Sequence, residues 1–386
     1  MKILMENWRS FVNEGGNVFK GERVDSIPLE FIKPTLESYY EELTRLFPDH
    51  ASDFQSFAPL GSVGKKAKSG DIDLAVDVQE LFPQGKVTDK ELLSWNIDPV
   101  AWRATYEKML KRARTAKPSE VELRAFLYEL AKYIGENSEI VKSDLKKVRP
   151  GQMFTLFPQI SPDGEQLEAG VQIDWMMGNR DWLKFSYFSD FPSEEQPMLK
   201  GLHRTQLILA MFDAKNYSFK HVGGVFDKAT GKKVAHSPSE ASQLLEKVYG
   251  APISPEVFKN FQSLYRWLME NASEEDRNAA FDVYLKILDR TNGNKERDPE
   301  TGELRRCGYI PEELEEYWIE NYERLGLKGK YLCKSTNNQL RDAMNRVQEA
   351  KKWSDKYKRS INCSNPKGFS QKQYCKRQKR GGDYKS

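Results

Sequence analysis

Leu60-Gly61-Ser62-Val63-Gly64-Lys65-Lys66-Ala67-Lys68-Ser69-Gly70-Asp71-Ile72-Asp73-Leu74-Ala75-Val76 is the stretch that decides how this chain folds. It reads as a short strand, a tight turn at Gly61-Ser62, a basic loop and a second strand carrying two carboxylates. Side chains alternate faces along a strand, so Asp71 and Asp73 share one face while Ile72, Leu74 and Val76 share the other. The apolar set can bury against a helix. That leaves the two carboxylates side by side next to the turn. Carboxylates held this close repel each other, and a divalent cation between them relieves the repulsion.

Gly61-Ser62, a loop of eight residues and then Asp71-Ile72-Asp73 resemble the metal-binding motif of the DNA polymerase beta-like nucleotidyltransferase superfamily. Within it, the motif is most similar to that of the minimal bacterial nucleotidyltransferases: glycine-serine, a small polar loop, then Ser-Asp-Ile-Asp-Leu. Gly70 stands where that subgroup has serine, and the loop is slightly short. The resemblance covers roughly residues 30 to 210. It requires a third carboxylate on a neighbouring strand. Val171-Gln172-Ile173-Asp174-Trp175-Met176 offers Asp174, flanked by an alternating apolar pattern.

The resemblance implies an α+β fold, a nucleotidyltransferase-like mixed β-sheet flanked by helices. It implies a pair of Mg²⁺ ions, with Mn²⁺ as a substitute, and a nucleoside triphosphate as substrate. Asp71 and Asp73 would hold both metals, and Asp174 only the one that activates the acceptor. Gly61 would let the backbone approach the phosphates, and Ser62 would donate to the β- and γ-phosphates. Lys65, Lys66 and Lys68 are placed to neutralise the triphosphate, or else form a solvated loop. Lys200, His203 and Arg204 begin an apolar helix, where positive charge opposes the helix dipole, so a phosphate contact is one reason for them to be there. A polar helix end is the other. Trp175 and Tyr187 either stack on a base or pack in the core.

At 386 residues the chain suits two domains and a tail. No run approaches the ~18 apolar residues of a membrane helix. The opening Met1-Lys2-Ile3-Leu4-Met5-Glu6-Asn7-Trp8-Arg9 lacks a secretory apolar core, so a soluble cytoplasmic protein is expected. Four cysteines (Cys307, Cys333, Cys363, Cys375) form no C-x-x-C pair. Disulfides are not expected in a reducing compartment, and Cys363 with Cys375 is the pair to test for metal. The formal charge of +3 hides an asymmetry. Residues 351 to 386 hold twelve Lys/Arg against Asp355 and Asp383, a net of +10, which leaves −7 for the preceding 350. Such a tail favours polyanions, with RNA the first candidate.

The periodicity predicts a short helix around Asn7 to Asn13, a helix from Pro28 to Pro48, and a first core strand from Phe54 to Leu60. Residues 79 to 150 read as a helical insertion. It includes a basic helix from Trp102 to Thr115 and a second helix opened by a capping box at Ser119 and ended by Gly135. Gln152 to Ile160 and the strand bearing Asp174 form a hairpin around Ser161-Pro162-Asp163-Gly164. Further elements are a helix from Leu199 to Phe212 and a hairpin of Phe219 to Val225 with Lys233 to Ala235. Helices follow at Ser239 to Val248, Ser254 to Asn271, Glu274 to Arg290, Pro311 to Leu325 and Asn337 to Tyr357. The domains expected are a catalytic domain over 1–196, a mostly helical substrate-binding domain over 197–359, and a basic flexible tail over 360–386.

Asn365-Pro366-Lys367-Gly368-Phe369-Ser370-Gln371-Lys372 and Cys375-Lys376-Arg377-Gln378-Lys379-Arg380-Gly381-Gly382 resemble a tail on assorted proteins of T4-like tailed bacteriophages, which implies work in a bacterial host cytoplasm. The expected activity is transfer of a nucleoside monophosphate to an acceptor, RNA being favoured and a tRNA 3′ end a specific candidate. The alternatives are AMPylation of a protein or small molecule, synthesis of a nucleotide second messenger or oligonucleotide, and an inactive scaffold that binds nucleic acid in phage assembly.

Overall fold

The computed structural model describes residues 18–19, 21–61, 63–65, 67–83, 85–113, 118–188, 201–290, 294–297, 304–307, 310–327, 361–364 and 375. The helices expected at 7–13 and 337–357, and most of the basic tail, lie outside these. So do Ser62, Lys66 and Lys200. Among the described residues no helix is long and apolar enough to cross a membrane.

The fold is α+β, built on a five-stranded mixed sheet flanked by helices. Its strands are β1 (Ala58–Pro59), β2 (Ile72–Asp77), β3 (Lys142–Ser143), β4 (Gln152–Ile160) and β5 (Gln166–Gly178), in the spatial order β1-β2-β5-β4-β3. β2 and β5 run parallel and the other neighbours antiparallel. The β4–β5 hairpin forms as the alternation predicts. Its turn is closed by Gly164 N–H donating to Ser161 O and Glu165 N–H to Ser161 Oγ.

One face of the sheet is dry. Ile72, Leu74 and Val76 of β2 and Ile173, Trp175 and Met177 of β5 pack there with Met153 and Phe157. Helix α1 (Leu29–Leu46) brings Ile32, Leu36, Tyr39 and Leu43 to this core. Helix α2 (Pro99–Arg112) adds Trp102, and α3 (Pro118–Asn137) adds Ala125, Phe126, Leu130 and Ile134. Three of the polar groups carried in, those of Trp175, Tyr39 and Thr155, are paired in a chain. Trp175 Nε1 donates to Tyr39 Oη at 2.9 Å, Tyr39 Oη meets Thr155 Oγ1 at 2.9 Å, and Thr155 donates to Ile173 O at 3.0 Å. Burial of these groups without partners would cost on the order of 1–3 kcal/mol each.

A second core begins at Trp182 in helix α4 (Arg180–Ser186). It continues through α5 (Gly201–Ala214), α6 (Pro238–Tyr249), α7 (Phe261–Asn271), α8 (Glu274–Arg290) and α9 (Glu315–Leu325). Core membership therefore changes between Met177 and Trp182. Residues 189–200, where the sequence reading puts the domain boundary, lie outside the described residues.

Several expectations are corrected. Phe54 to Leu60 is not one strand. Residues Ala51–Ser56 are helical and only Ala58–Pro59 pairs. Phe54 and Phe57 are both buried at helical spacing rather than alternating, and Pro59 is tolerated because β1 is a sheet edge. Gly135 does not end α3. It lies inside the helix, where a Cβ would come 2.8 Å from Ser143 Oγ on β3. Ser119 does not cap α3, because the helix starts at Pro118; the capping box is at Thr88 and Glu91. Phe219 to Val225 is two strands, Tyr217–Lys220 and Gly224–Asp227. Gly224 has φ +99° and sits where a Cβ would collide with Ala235 O. Cys363 and Cys375 are joined in a disulfide with Cα atoms 5.3 Å apart, which takes both thiols out of any metal site. The two cysteines are 12 positions apart in sequence, and their Cα atoms lie within bridging distance.

A carboxylate site on the open face of the sheet

The other face of the same strands carries the acids. β2 and β5 pair in parallel register with Asp73 opposite Asp174, Ala75 opposite Met176 and Ile72 opposite Ile173. In-register neighbours on adjacent strands point to the same side, with strands about 4.8 Å apart. Asp73 and Asp174 are thus direct neighbours, and Asp71 lies two residues back on the same face, at the entrance to β2.

Two small apolar patches bracket the acids. Beyond one end, Val18 and Phe19 pack on Phe154 and Leu156 of β4. At the other, Leu183 of α4 packs with Leu60, Ala75 and Met176, and Tyr187 and Val222 close around them. The turn at Gly61 comes up against this second patch. Gly61 has φ +60°, and a Cβ there would lie 3.8 Å from Tyr187 O and 3.9 Å from Asp73 Oδ2. Leu60 N–H donates to Asp73 O at 2.9 Å, which pins the turn to the strand.

The electrostatics follow from this packing. Burial raises the Asp73 carboxyl well above the usual carboxylate range, and Asp71 raises it further. Asp174 is likewise raised by burial, then by Asp73 and Asp71, with the hydrogen bond from Gln172 working the other way. Asp174 is only 6% exposed. Its Oδ2 accepts from Gln172 Nε2 at 3.1 Å, while Oδ1 is buried with no hydrogen-bond partner among the described residues. The Tyr187 phenol is raised by burial and by Asp73 and Asp174. Among the described residues no three acidic, histidine or cysteine side chains are drawn into a closed metal-holding group. The aspartates share a face and a field, not a finished cage.

The cations fall into two groups. Lys68 is exposed in a two-residue strand paired with Ile27–Pro28. Lys65 Nζ sits 4.6 Å from the centre of the Phe188 ring, and the Arg204 guanidinium sits 5.4 Å from the same ring. Arg204 is 2% exposed, so it is no solvated helix end. It donates through Nε to Phe258 O, and Nη1 has no partner among the described residues. Burial lowers it to about 9. His203 points elsewhere, with Nδ1 2.6 Å from Tyr284 Oη in the second core. Trp175 belongs to the dry face and cannot stack on a base here.

Three contributors were missed. Gln172 was in view, since alternation puts it on the face of Asp174. Phe188 and His221 carried no local signal. His221 is lowered to about 3 by burial and by Arg204. The basic helix α2 is packed by Trp102, Tyr106 and Met109 onto the dry-face core, on the side of the sheet away from the acids.

Fold and site together define an α+β protein whose mixed sheet presents three aspartates on its open face. No protein-family model matches the chain, and no curated protein matches it. Among solved structures it is similar to DNA polymerase beta of Leishmania infantum. A ternary P/T complex aligns at 12% identity over 65% of this chain and 76% of that one, with a TM-score of 0.28. A ternary gap complex of the same polymerase aligns at 13% identity over 65% and 70%, with a TM-score of 0.27. Likenesses this distant assign neither family nor activity.

Proposed function

We propose that this protein is a metal-dependent nucleotidyltransferase, moving a nucleoside monophosphate from a triphosphate to an acceptor hydroxyl. The observation that carries the reading is the parallel register that sets Asp73 against Asp174 with Asp71 on the same face. Three acids gathered where burial raises two of them are costly to the fold unless used.

The donor set fits Mg²⁺: hard carboxylate oxygens, one of them buried without a partner. Asp71, Asp73 and Asp174 would hold the ions. When bound, Mg²⁺ supplies charge neutralisation at the phosphates and acidifies the attacking hydroxyl. Asp174, whose carboxyl is raised by burial and by Asp73 and Asp71, would take the acceptor proton. The acceptor oxygen then forms its bond to the α-phosphorus as the bond to the pyrophosphate oxygen breaks. Gly61, with its positive φ, lets the turn approach the phosphates, and Ser62 donates to them. Lys65 and Arg204, gathered at Phe188, meet the charge of the leaving pyrophosphate, and Lys66, Lys68 and Lys200 add to the field.

For the acceptor we favour RNA, supported by the net charge of the last 36 residues. The resemblance of the tail to phage proteins supports a bacterial cytoplasm as the place of action. The test is label transfer from α-³²P-NTP with Mg²⁺ in bacterial lysate, followed by RNase or protease. RNase-sensitive label supports the RNA acceptor, and protease-sensitive label supports AMPylation. Undiminished transfer by Asp73→Asn/Asp174→Asn ends the reading.

A further inference from the structure

The residue beside Asp174 is fixed from an unexpected direction. Gln172, 1% exposed, lies on the same face of β5 two residues before Asp174. Val18 N–H donates to Gln172 Oε1 at 2.9 Å, and Gln172 Nε2 donates to Asp174 Oδ2 at 3.1 Å. The orientation of this amide is set by its partners. A backbone N–H can only meet the carbonyl oxygen, so the NH₂ group must face the carboxylate. The segment supplying Val18 is itself tied to the sheet. Gly170 N–H donates to Arg23 O and Asp25 N–H to Gly170 O, while Val18 and Phe19 pack on Phe154 and Leu156.

We propose that Gln172 is a positioning residue that couples the N-terminal strap, residues 18–19 and 21–25, to cation binding at Asp174. By holding Oδ2, Gln172 fixes the rotation of the carboxylate and presents Oδ1, the oxygen without a partner, to the cation. Outer partners of this kind set ligand orientation and are worth about 10–100-fold in metal affinity. The strap fixes Gln172 in turn, so its seating and cation binding favour each other, and the coupling is reciprocal. This inference rests on the reading of Asp174 as a cation ligand.

The test is Mn²⁺ titration of the full chain without nucleotide, followed by electron paramagnetic resonance. Gln172→Glu, which turns an oxygen toward Asp174, is expected to weaken Mn²⁺ by about tenfold or more, and Gln172→Leu by about three- to tenfold. Val18→Pro approaches from the strap side: it removes the donor N–H while leaving Gln172 and Asp174 in the chain, and should weaken Mn²⁺ by about threefold. Val18→Ala keeps the N–H and loses only part of the packing, so it should weaken Mn²⁺ less than Val18→Pro does. In hydrogen exchange, Mn²⁺ should slow the Val18 amide in the wild type and not in Gln172→Leu. If both Gln172 variants bind Mn²⁺ like the wild type, the coupling is wrong and the cation site stands. If the wild type binds no Mn²⁺ that Asp73→Asn/Asp174→Asn abolishes, the cation site itself is wrong and the inference falls with it.

Discussion

The two faces of strands β2 and β5 are made by alternate residues of the same two segments, and they have opposite properties. On one face Leu74, Ile173 and Trp175 are buried, and the indole N–H of Trp175 is paired through Tyr39 to Thr155. On the other, one residue away along the chain, half-buried Asp73 and buried Asp174 stand side by side and both are raised. The first arrangement stabilises the fold. The second costs stability, and its use lies in what it binds. A single β-ladder therefore holds the scaffold and the site at a separation of one residue, with opposite signs of free energy.

The sharpest way to break this comparison is to exchange charge for amide on the acid face. Asp73→Asn or Asp174→Asn should lower nucleotidyl transfer on the order of a thousandfold or more. Each should also raise the melting temperature of the metal-free protein by about 2–4 °C, because a buried like-charge pair is relieved. A fall in melting temperature would mean the acids are structural. On the dry face the signs reverse. Trp175→Ala should cost about 3–5 kcal/mol in urea unfolding while leaving Mn²⁺ affinity near wild type.

The pH dependence sharpens the same contrast. Both carboxyls have folded values raised above their unfolded ones. The stability of their protonated forms is fully present below the ordinary carboxylate range and is lost as pH rises through the raised values. Melting of the metal-free protein should therefore move to higher temperature as pH falls from the raised carboxyl range toward the ordinary one, and the shift should flatten in Asp73→Asn/Asp174→Asn. Tyr39→Phe is smaller, about 1–3 kcal/mol, since it strands Trp175 Nε1. The smallest effect is at Lys68: with its side chain exposed, Lys68→Ala should change stability by about 0.5 kcal/mol or less in the same unfolding assay.

The alternation of Asp71-Ile72-Asp73-Leu74 was legible because a strand's side-chain period is a local steric property. For the same reason the β4–β5 hairpin and its Ser161–Gly164 turn could be placed. Phe54 and Phe57 misled, because two apolar residues three apart fit a short helix as well as a frayed strand. Gly135 misled for a different reason: the need for glycine arises from Ser143 on a passing strand, and no local pattern contains that contact. Arg204 and His203 read as a polar helix start, yet α5 is packed closely enough to bury both.

By itself, then, the chain determined which residues of β2 and β5 share a face, that a turn falls at Ser161–Gly164, and that two acids near Gly61 would stand together. Only the tertiary structure decided that Asp174 pairs in register with Asp73, that Gln172 is held by Val18, and that α2 lies behind the sheet. The division has a physical cause. Face and turn are set by bonded neighbours within a few residues. Register, burial and the field on a carboxylate are sums over groups about a hundred positions apart, and they exist only once the sheet has closed.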